Sequence, residues 1–294
     1  MKINERCLPC LINQVIKVAN ITNVKEKEQL YKKVFQYLST IDFKQTNPEI
    51  IGETFLMIKK QINHTDPYKD IRHYYNELFL QHYEEFNNDI MKHSHPFHKA
   101  IQYAIIGNII DFSPIHQKET DLMKVFHEYS LKKDHFAIDH SQKLYEDIKN
   151  GHTLLYLGDN CGEICLDKLL LKQIKMINPN LQIYFGVRGA NVVNDNIEED
   201  AYFVGMNEYA QIISNGDYSL GTILQRTSQE FQNVYEQADI VIAKGQANYE
   251  SLSEEKKNIY FMLMIKCAVI SEYIGVEQGS MVCFNPTKEL KYVW

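Results

Sequence analysis

Two hydrophobic rhythms divide the chain. Up to about residue 150, apolar side chains return every three or four positions: Leu11, Ile12, Val15, Ile16 and Val18, then Leu30, Val34, Phe35 and Leu38. Further groups follow at Phe55, Leu56, Ile58 and Ile62, at Tyr74, Leu78, Phe79 and Tyr83, and at Ala100, Ile101, Ala104, Ile105 and Ile109. An α-helix turns once in about 3.6 residues, so each group predicts a helix with one buried face, and residues 1–150 read as a helical bundle. A last helix over about 141–149 leads through Asn150-Gly151 into a different pattern.

From residue 153 onward, short apolar runs alternate with helical stretches. Strands are predicted at 153–157, 181–187, 239–243 and 259–265, with shorter runs at 211–213 and 281–284. Helical patterns over 163–176, about 226–237 and 267–274 separate most of them. That alternation predicts a doubly wound, mostly parallel α/β/α domain over 151–294, with the helical bundle packed on it. No repeat or flexible linker parts the two.

Composition changes this picture little. With 45% hydrophobic and 23% charged residues, the chain has the makeup of an ordinary globular protein. Its net charge of −7 opposes sequence-independent nucleic-acid binding, which draws on clustered Lys and Arg. No run is long enough to serve as a signal peptide or to cross a bilayer, so a cytoplasmic protein without membrane partners is expected. Six cysteines in 294 residues do not make a disulfide framework.

Candidate chemistry gathers where the strands end. Asp159 and Asn160 follow the first strand, Arg188 the second, Lys244 the third and Lys266 the fourth, and Asp195 lies in the loop beyond Arg188. In a parallel sheet these ends share one edge, where ligands bind. Two carboxylates and an amide oxygen are hard ligands suited to Mg²⁺ or Mn²⁺, and the cations would offset a phosphate. The alternative is that Asp-Asn-Cys-Gly is only a turn, since turns favour those residues.

Several linked motifs carry a resemblance. GDNCGE at 158–163, RGANVVND at 188–195, KGQANYE at 244–250 and the Lys266-Cys267 junction look like the damage-control phosphatase family, metal-dependent phosphatases also called acidic-residue-methyltransferase-like. AIIGNIIDF at 104–112 is similar to the family's Gly-Asn-x-x-Asp motif, and CLPC at 7–10 resembles the N-terminus of its prokaryotic branch. The resemblance implies that Asp159, Asn160 and Asp195 hold a divalent metal (Mn²⁺, Mg²⁺, Co²⁺ or Ni²⁺), with Asp159, Asn160 and Lys266 catalytic. It also implies that Asn108, Asp111, Glu163, Arg188, Lys244 and Lys266, with Gly245, Gln246, Asn248 and Glu250 of the 244–250 loop, meet a small phosphorylated metabolite. One motif departs: where eukaryotic members carry Arg-Thr-x-Lys, Leu263-Met264-Ile265-Lys266 keeps only the lysine.

Other polar residues have plainer readings. Cys7 and Cys10 have zinc-like spacing without a second pair, so thiols are the default. Cys161 and Cys165 share a helix face and read as small core residues. His93, His95 and His98 read as a solvated loop before a helix start. Asn108 and Asp111 either cap the end of an apolar helix or line the substrate pocket. The expected function is metal-dependent hydrolysis of small phosphomonoesters such as sugar phosphates or damaged phosphometabolites, with the metal as Lewis acid and either water or the Asp159 carboxylate attacking. S-adenosylmethionine-dependent carboxyl methyl transfer, or a sugar-phosphate sensor without catalysis, are the alternatives, and the oligomeric state stays open.

Overall fold

The apolar runs of the second half become strands because their side chains are buried on both faces, between two layers of helices. The computed structural model describes residues 1–108, 119–132 and 135–287. Helices α1 (Leu8–Ile21), α2 (Lys27–Leu38), α3 (Asn47–Ile62), α4 (Lys69–Gln81), α5 (Tyr83–Lys92), α6 (Pro96–Ile106) and α7 (Glu119–Lys132) come first. Then follow β1 (Ile138–Asp139), α8 (Ser141–Asn150), β2 (Thr153–Leu157), α9 (Glu163–Ile177), β3 (Gln182–Val187), α10 (Glu198–Phe203) and β4 (Gln211–Ser214). The chain goes on through α11 (Gln229–Gln237), β5 (Ile240–Lys244), α12 (Gly245–Leu252), β6 (Ile259–Met264), α13 (Ala268–Ile274) and β7 (Met281–Phe284).

These strands form one sheet in the order β1-β7-β6-β5-β2-β3-β4. Neighbours are parallel except β6 and β7, which run antiparallel. The chain steps outward from β2 to β3 and β4, then crosses back to lay β5 on the other side of β2. That reversal makes a switch point between β2 and β5, and the loops leaving their carboxyl ends diverge there to open a crevice.

Alternate strand residues feed two cores. Leu154, Tyr156, Ile183, Phe185, Ile240 and Ile242 pack with α6 and α9, whereas Leu155, Leu157, Val241, Ala243, Phe261 and Leu263 pack with Phe231 and Tyr235 of α11 and Leu252 of α12. A third core joins α1, α2 and α3 to Val192 and Val193. The first 150 residues thus enter all three cores. They also depart from an all-helical pattern, because Ile138 and Asp139 pair in parallel with Val282 and Cys283 at the sheet edge. Two residues are too few to show a strand period in sequence. The 246–250 stretch departs as well: it is not a loop but most of α12.

Candidate active site

At the switch point β2 ends in Leu157 and the chain turns through Gly158 to Asp159, whose side chain lies against the start of α12. Gly245 there has φ +76°, and a β-carbon on it would overlap the Asp159 carboxylate. Glycine is needed twice over, for the left-handed backbone and for the space. Asp159 Oδ2 accepts from Asn108 Nδ2 at 2.9 Å and from Asn160 Nδ2 at 2.8 Å. Asn108 sits just past the end of α6, so the helical half delivers it to the sheet edge; its motif partner Asp111 lies outside the described residues.

The loop after β3 closes on the loop after β2. Asn196 N–H donates to Asp159 O at 2.8 Å, Cys161 N–H to Asn194 O at 2.9 Å, and Asn160 and Asp195 form an antiparallel bridge. Val193 holds φ +47°, a conformation that costs a β-branched residue roughly 1–3 kcal/mol and is common at functional sites. It turns the chain so that Asn194 Nδ2 reaches Asn160 Oδ1 at 3.0 Å and Asp195 faces Arg188. Arg188 Nε donates to Asp195 Oδ2 at 2.6 Å, and its Nη2 lies 3.7 Å from Asp159 Oδ1.

Asp159, Asp195 and Arg188 are all nearly inaccessible to solvent. Burial pushes the Asp159 carboxyl well above the usual carboxylate range, with Asp195 and Glu163 adding to the rise and Arg188 and Lys266 opposing it. Among the described residues, Arg188 Nη2 and Asn108 Oδ1 are also buried without a hydrogen-bond partner.

Behind this centre lies a layer that includes Lys244, Glu163 and Asn248, three residues expected to meet the substrate. Lys244 is wholly buried; its Nζ bonds Glu163 Oε1, Asp167 Oδ1 at 2.6 Å and Ala104 O at 2.8 Å. Burial opposes its charge, but Asp167 and Glu163 outweigh that and hold its pKa above the ordinary value. Burial pushes the Asp167 carboxyl up to about 7, Lys244 pulling against it and Glu163 adding to it. Glu163 Oε2 accepts from Asn108 and Asn160, and Tyr156 Oη donates to Asp167 Oδ1 at 2.6 Å. Lys244 and Glu163 thus hold the amides that hold Asp159, instead of opening to a ligand. Asn248 is likewise fully buried, donating to Gly158 O and Lys244 O while accepting from Thr222 and Arg188.

In front of the centre is a cavity of about 380 Å³ whose wall includes Asp159, Asn160, Asp195, Gln246, Glu250 and Lys266. Gln246 Nε2 donates to Glu250 Oε1 at 2.8 Å and Asn47 Nδ2 to Glu250 Oε2 at 3.1 Å, leaving Gln246 Oε1 buried without a hydrogen-bond partner among the described residues. Burial raises the Glu250 carboxyl, against hydrogen bonds from Gln246 and Asn47. Sequence reading missed Asn47, Asn194 and Asn196. Asn194 stood within a quoted motif, whereas Asn47 gave no signal beyond a helix start. The residues 93, 95 and 98 border a separate cavity at the far end of α6, where His98 Nε2 lies 3.2 Å from Asp139 Oδ2, a carboxylate not paired with them in sequence. Cys161 and Cys165 are buried in the core.

With this geometry established, similarity to known proteins becomes informative. Residues 3–282 match the family described as the damage-control phosphatase ARMT1-like domain, and the chain belongs to that family. It is 33% identical to an uncharacterised protein of Methanocaldococcus jannaschii, across 96% of this chain and 95% of that one. It is 31% identical to a damage-control phosphatase of Pyrococcus horikoshii, across 97% and 98% of the two. A crystal structure of a DUF89 family protein from Pyrococcus horikoshii superposes with a TM-score of 0.89 at 28% identity, covering 97% of this chain and 99% of that one.

Proposed function

We propose that the protein is a metal-dependent phosphatase of small phosphomonoesters, sugar phosphates or damaged phosphometabolites among them, of the prokaryotic branch with the N-terminal CxxC. The observation that carries this reading is the meeting of Asp159, Asn160 and Asp195 at the switch point, beside a cavity that Lys266 also lines. Relatives named damage-control phosphatases support it.

The donor set suits a hard divalent ion: two carboxylates, an amide, and a centre where burial and mutual repulsion disfavour the ionised Asp159. Among the described residues no group of three or more His, Cys, Asp or Glu is arranged to hold a metal, so water would complete the shell. Asn160 turns its Nδ2 toward Asp159, and its Oδ1 accepts from Asn194. Its Oδ1 has a second lone pair that can serve as a ligand while the Asn194 bond is kept. When bound, the ion supplies Lewis-acid polarisation of the phosphoryl oxygens.

The remaining work falls to the chain. Arg188 holds Asp195 and draws Asp159 toward the ionised form. Asn108 and Asn160 fix the Asp159 carboxylate with two donated hydrogen bonds. Lys266 offsets charge on the outer phosphate oxygens, and Gln246 offers to a substrate hydroxyl its Oε1, which has no hydrogen-bond partner among the described residues. The test is a phosphatase screen over a phosphomonoester panel with Mn²⁺, Mg²⁺, Co²⁺ and Ni²⁺, against metal-free protein. Metal-dependent phosphate release supports the reading. Ligand binding without turnover would indicate a sensor, and methyl transfer from S-adenosylmethionine without phosphate release would replace the hydrolase.

A further inference from the structure

Two thiols stand on the cavity wall at the first turn of α1. Cys7 is the residue that caps this helix, Pro9 follows in its first turn, and Cys10 is its third residue. Side chains at the cap and at the third position lie on the same side of the first turn, three residues apart. Residues three apart on a helix have β-carbons roughly 5–6 Å apart, against about 3.5–4.5 Å across a disulfide, so closing the pair requires the first turn to tighten by about 1–2 Å. Cys7 is buried and Cys10 exposed. A third thiol, Cys267, caps α13 on the same wall beside Lys266 and accepts a hydrogen bond from Gln246. The three are near enough that a charge on Cys267 would oppose ionisation of either of the others.

We propose that Cys7 and Cys10 form a reversible dithiol–disulfide pair, oxidised by low-molecular-weight disulfides, whose state is transmitted to the cavity wall. The Cys10 thiolate attacks one sulfur of the small disulfide; a mixed disulfide forms, the old sulfur–sulfur bond breaks, and the leaving thiolate takes up the proton that Cys10 lost. The Cys7 thiolate then attacks Cys10 Sγ, closing the Cys7–Cys10 bond and expelling the second small thiolate, which takes up the Cys7 proton. Two electrons pass from the protein dithiol to the small disulfide, which leaves as two thiols. Transmission has a short route. Arg6, next to Cys7, pairs its guanidinium with both oxygens of Glu272 at 2.7 and 2.5 Å, and Glu272 lies on α13, the helix that Cys267 caps. Partial desolvation, by burial for Cys7 and by the surrounding cavity wall for the more exposed Cys10, raises both thiol pKa values, with Cys267 and Glu250 acting in the same direction, so exchange speeds up as the pH rises above neutral.

The proposal does not rest on the phosphatase reading, because its readouts are sulfur chemistry. The full-length protein is equilibrated with mixtures of reduced and oxidised glutathione, trapped with a maleimide and weighed intact. The expected result is loss of two labelled thiols together, a Cys7–Cys10 linked peptide, and at least a threefold change in the rate at which Cys267 is labelled. Cys10→Ser, altered at the exposed member, should form no such linkage and keep its Cys267 labelling rate within about twofold across the same mixtures. The proposal is overturned if no pair of thiols is lost at any glutathione ratio, if Cys10 links to Cys267 instead, or if the pair closes while Cys267 labelling is unchanged in the wild type.

Discussion

Lys266 and Lys244 each end a strand run, yet the structure treats them in opposite ways. Lys244 is itself the last residue of β5, so its side chain keeps the parity of Ile240 and Ile242 and enters the core beneath α6 and α9. The sequence reading ended that strand one residue early, which turned a face residue into an edge residue. Lys266 lies two residues beyond β6 and lines the cavity. Lys266→Met keeps most of the stem and removes the charge; kcat/KM on the best phosphomonoester should fall about 10²–10³, as when one preorganised donor is lost. A fall of less than about fivefold would take Lys266 out of the reaction. Gly245→Ala is a second test. The added carbon pushes against Asp159 and strains a left-handed backbone, so divalent-ion affinity measured by calorimetry should drop at least about tenfold, a loss near 1.4 kcal/mol. Unchanged affinity would separate Asp159 from the metal.

At the scale of elements, the strands were legible because continuous apolar runs flanked by polar turns leave few other readings, and each predicted run lies within two residues of a strand. What sequence could not show is how α4 braces the site. Arg72 is buried, with its Nε on Asp200 at 2.9 Å and its two terminal nitrogens on Asp66 at 2.8 Å each. One turn on, Asn76 donates to Asp200 and accepts from Gly162 N–H at 2.7 Å, at the start of α9. Apart from Asp66, six residues before Arg72, these partners are 86 to 128 residues apart, a distance across which no periodicity speaks. Burial alone would raise the Asp66 carboxyl, but hydrogen bonds from Arg72 and Asn191 outweigh it and hold it below the ordinary value. A depressed folded pKa contributes stability fully present above the unfolded carboxylate value near pH ~3.9, and that contribution is lost as pH falls from there through the lower folded value. Asp66→Asn should therefore cost on the order of 3 kcal/mol at neutral pH and flatten this part of the acid limb. Urea midpoints measured from pH about 6 down to about 3 check both; parallel wild-type and variant curves would remove Asp66 from the account.

For the molecule as a whole, the sheet brings Asp159 and Asp195 together at its switch point, although 36 residues separate them in sequence, and surrounds both with buried polar groups. The convergence followed from strand order once a parallel sheet was expected; the inner layer of Lys244, Glu163 and Asp167 did not, because burial is set by helices laid over the sheet from elsewhere in the chain. A buried centre with its carboxyl raised carries a cost. The folded pKa of Asp159 lies above its unfolded value, so its contribution to stability is fully present below the unfolded carboxylate range and is lost as pH rises through the folded value. At neutral pH the metal-free fold therefore works against ionisation of Asp159, and a divalent ion would remove that opposition by supplying the missing charge. Two outcomes follow for thermal unfolding. Without metal, Asp159→Asn should unfold at a temperature equal to or above that of the wild type, since it retains the shape and loses the buried charge. With Mn²⁺ at about 100 times its dissociation constant, the wild type should gain about 2.7 kcal/mol, or roughly 4 °C for a chain of this length, and a chelator should reverse the gain. Asp159→Asn should gain less than about 1 °C under the same conditions. Equal shifts in the two proteins would place the ion elsewhere, and an Asp159→Asn protein that melts well below the metal-free wild type would make Asp159 a structural carboxylate instead of a ligand held ready for charge.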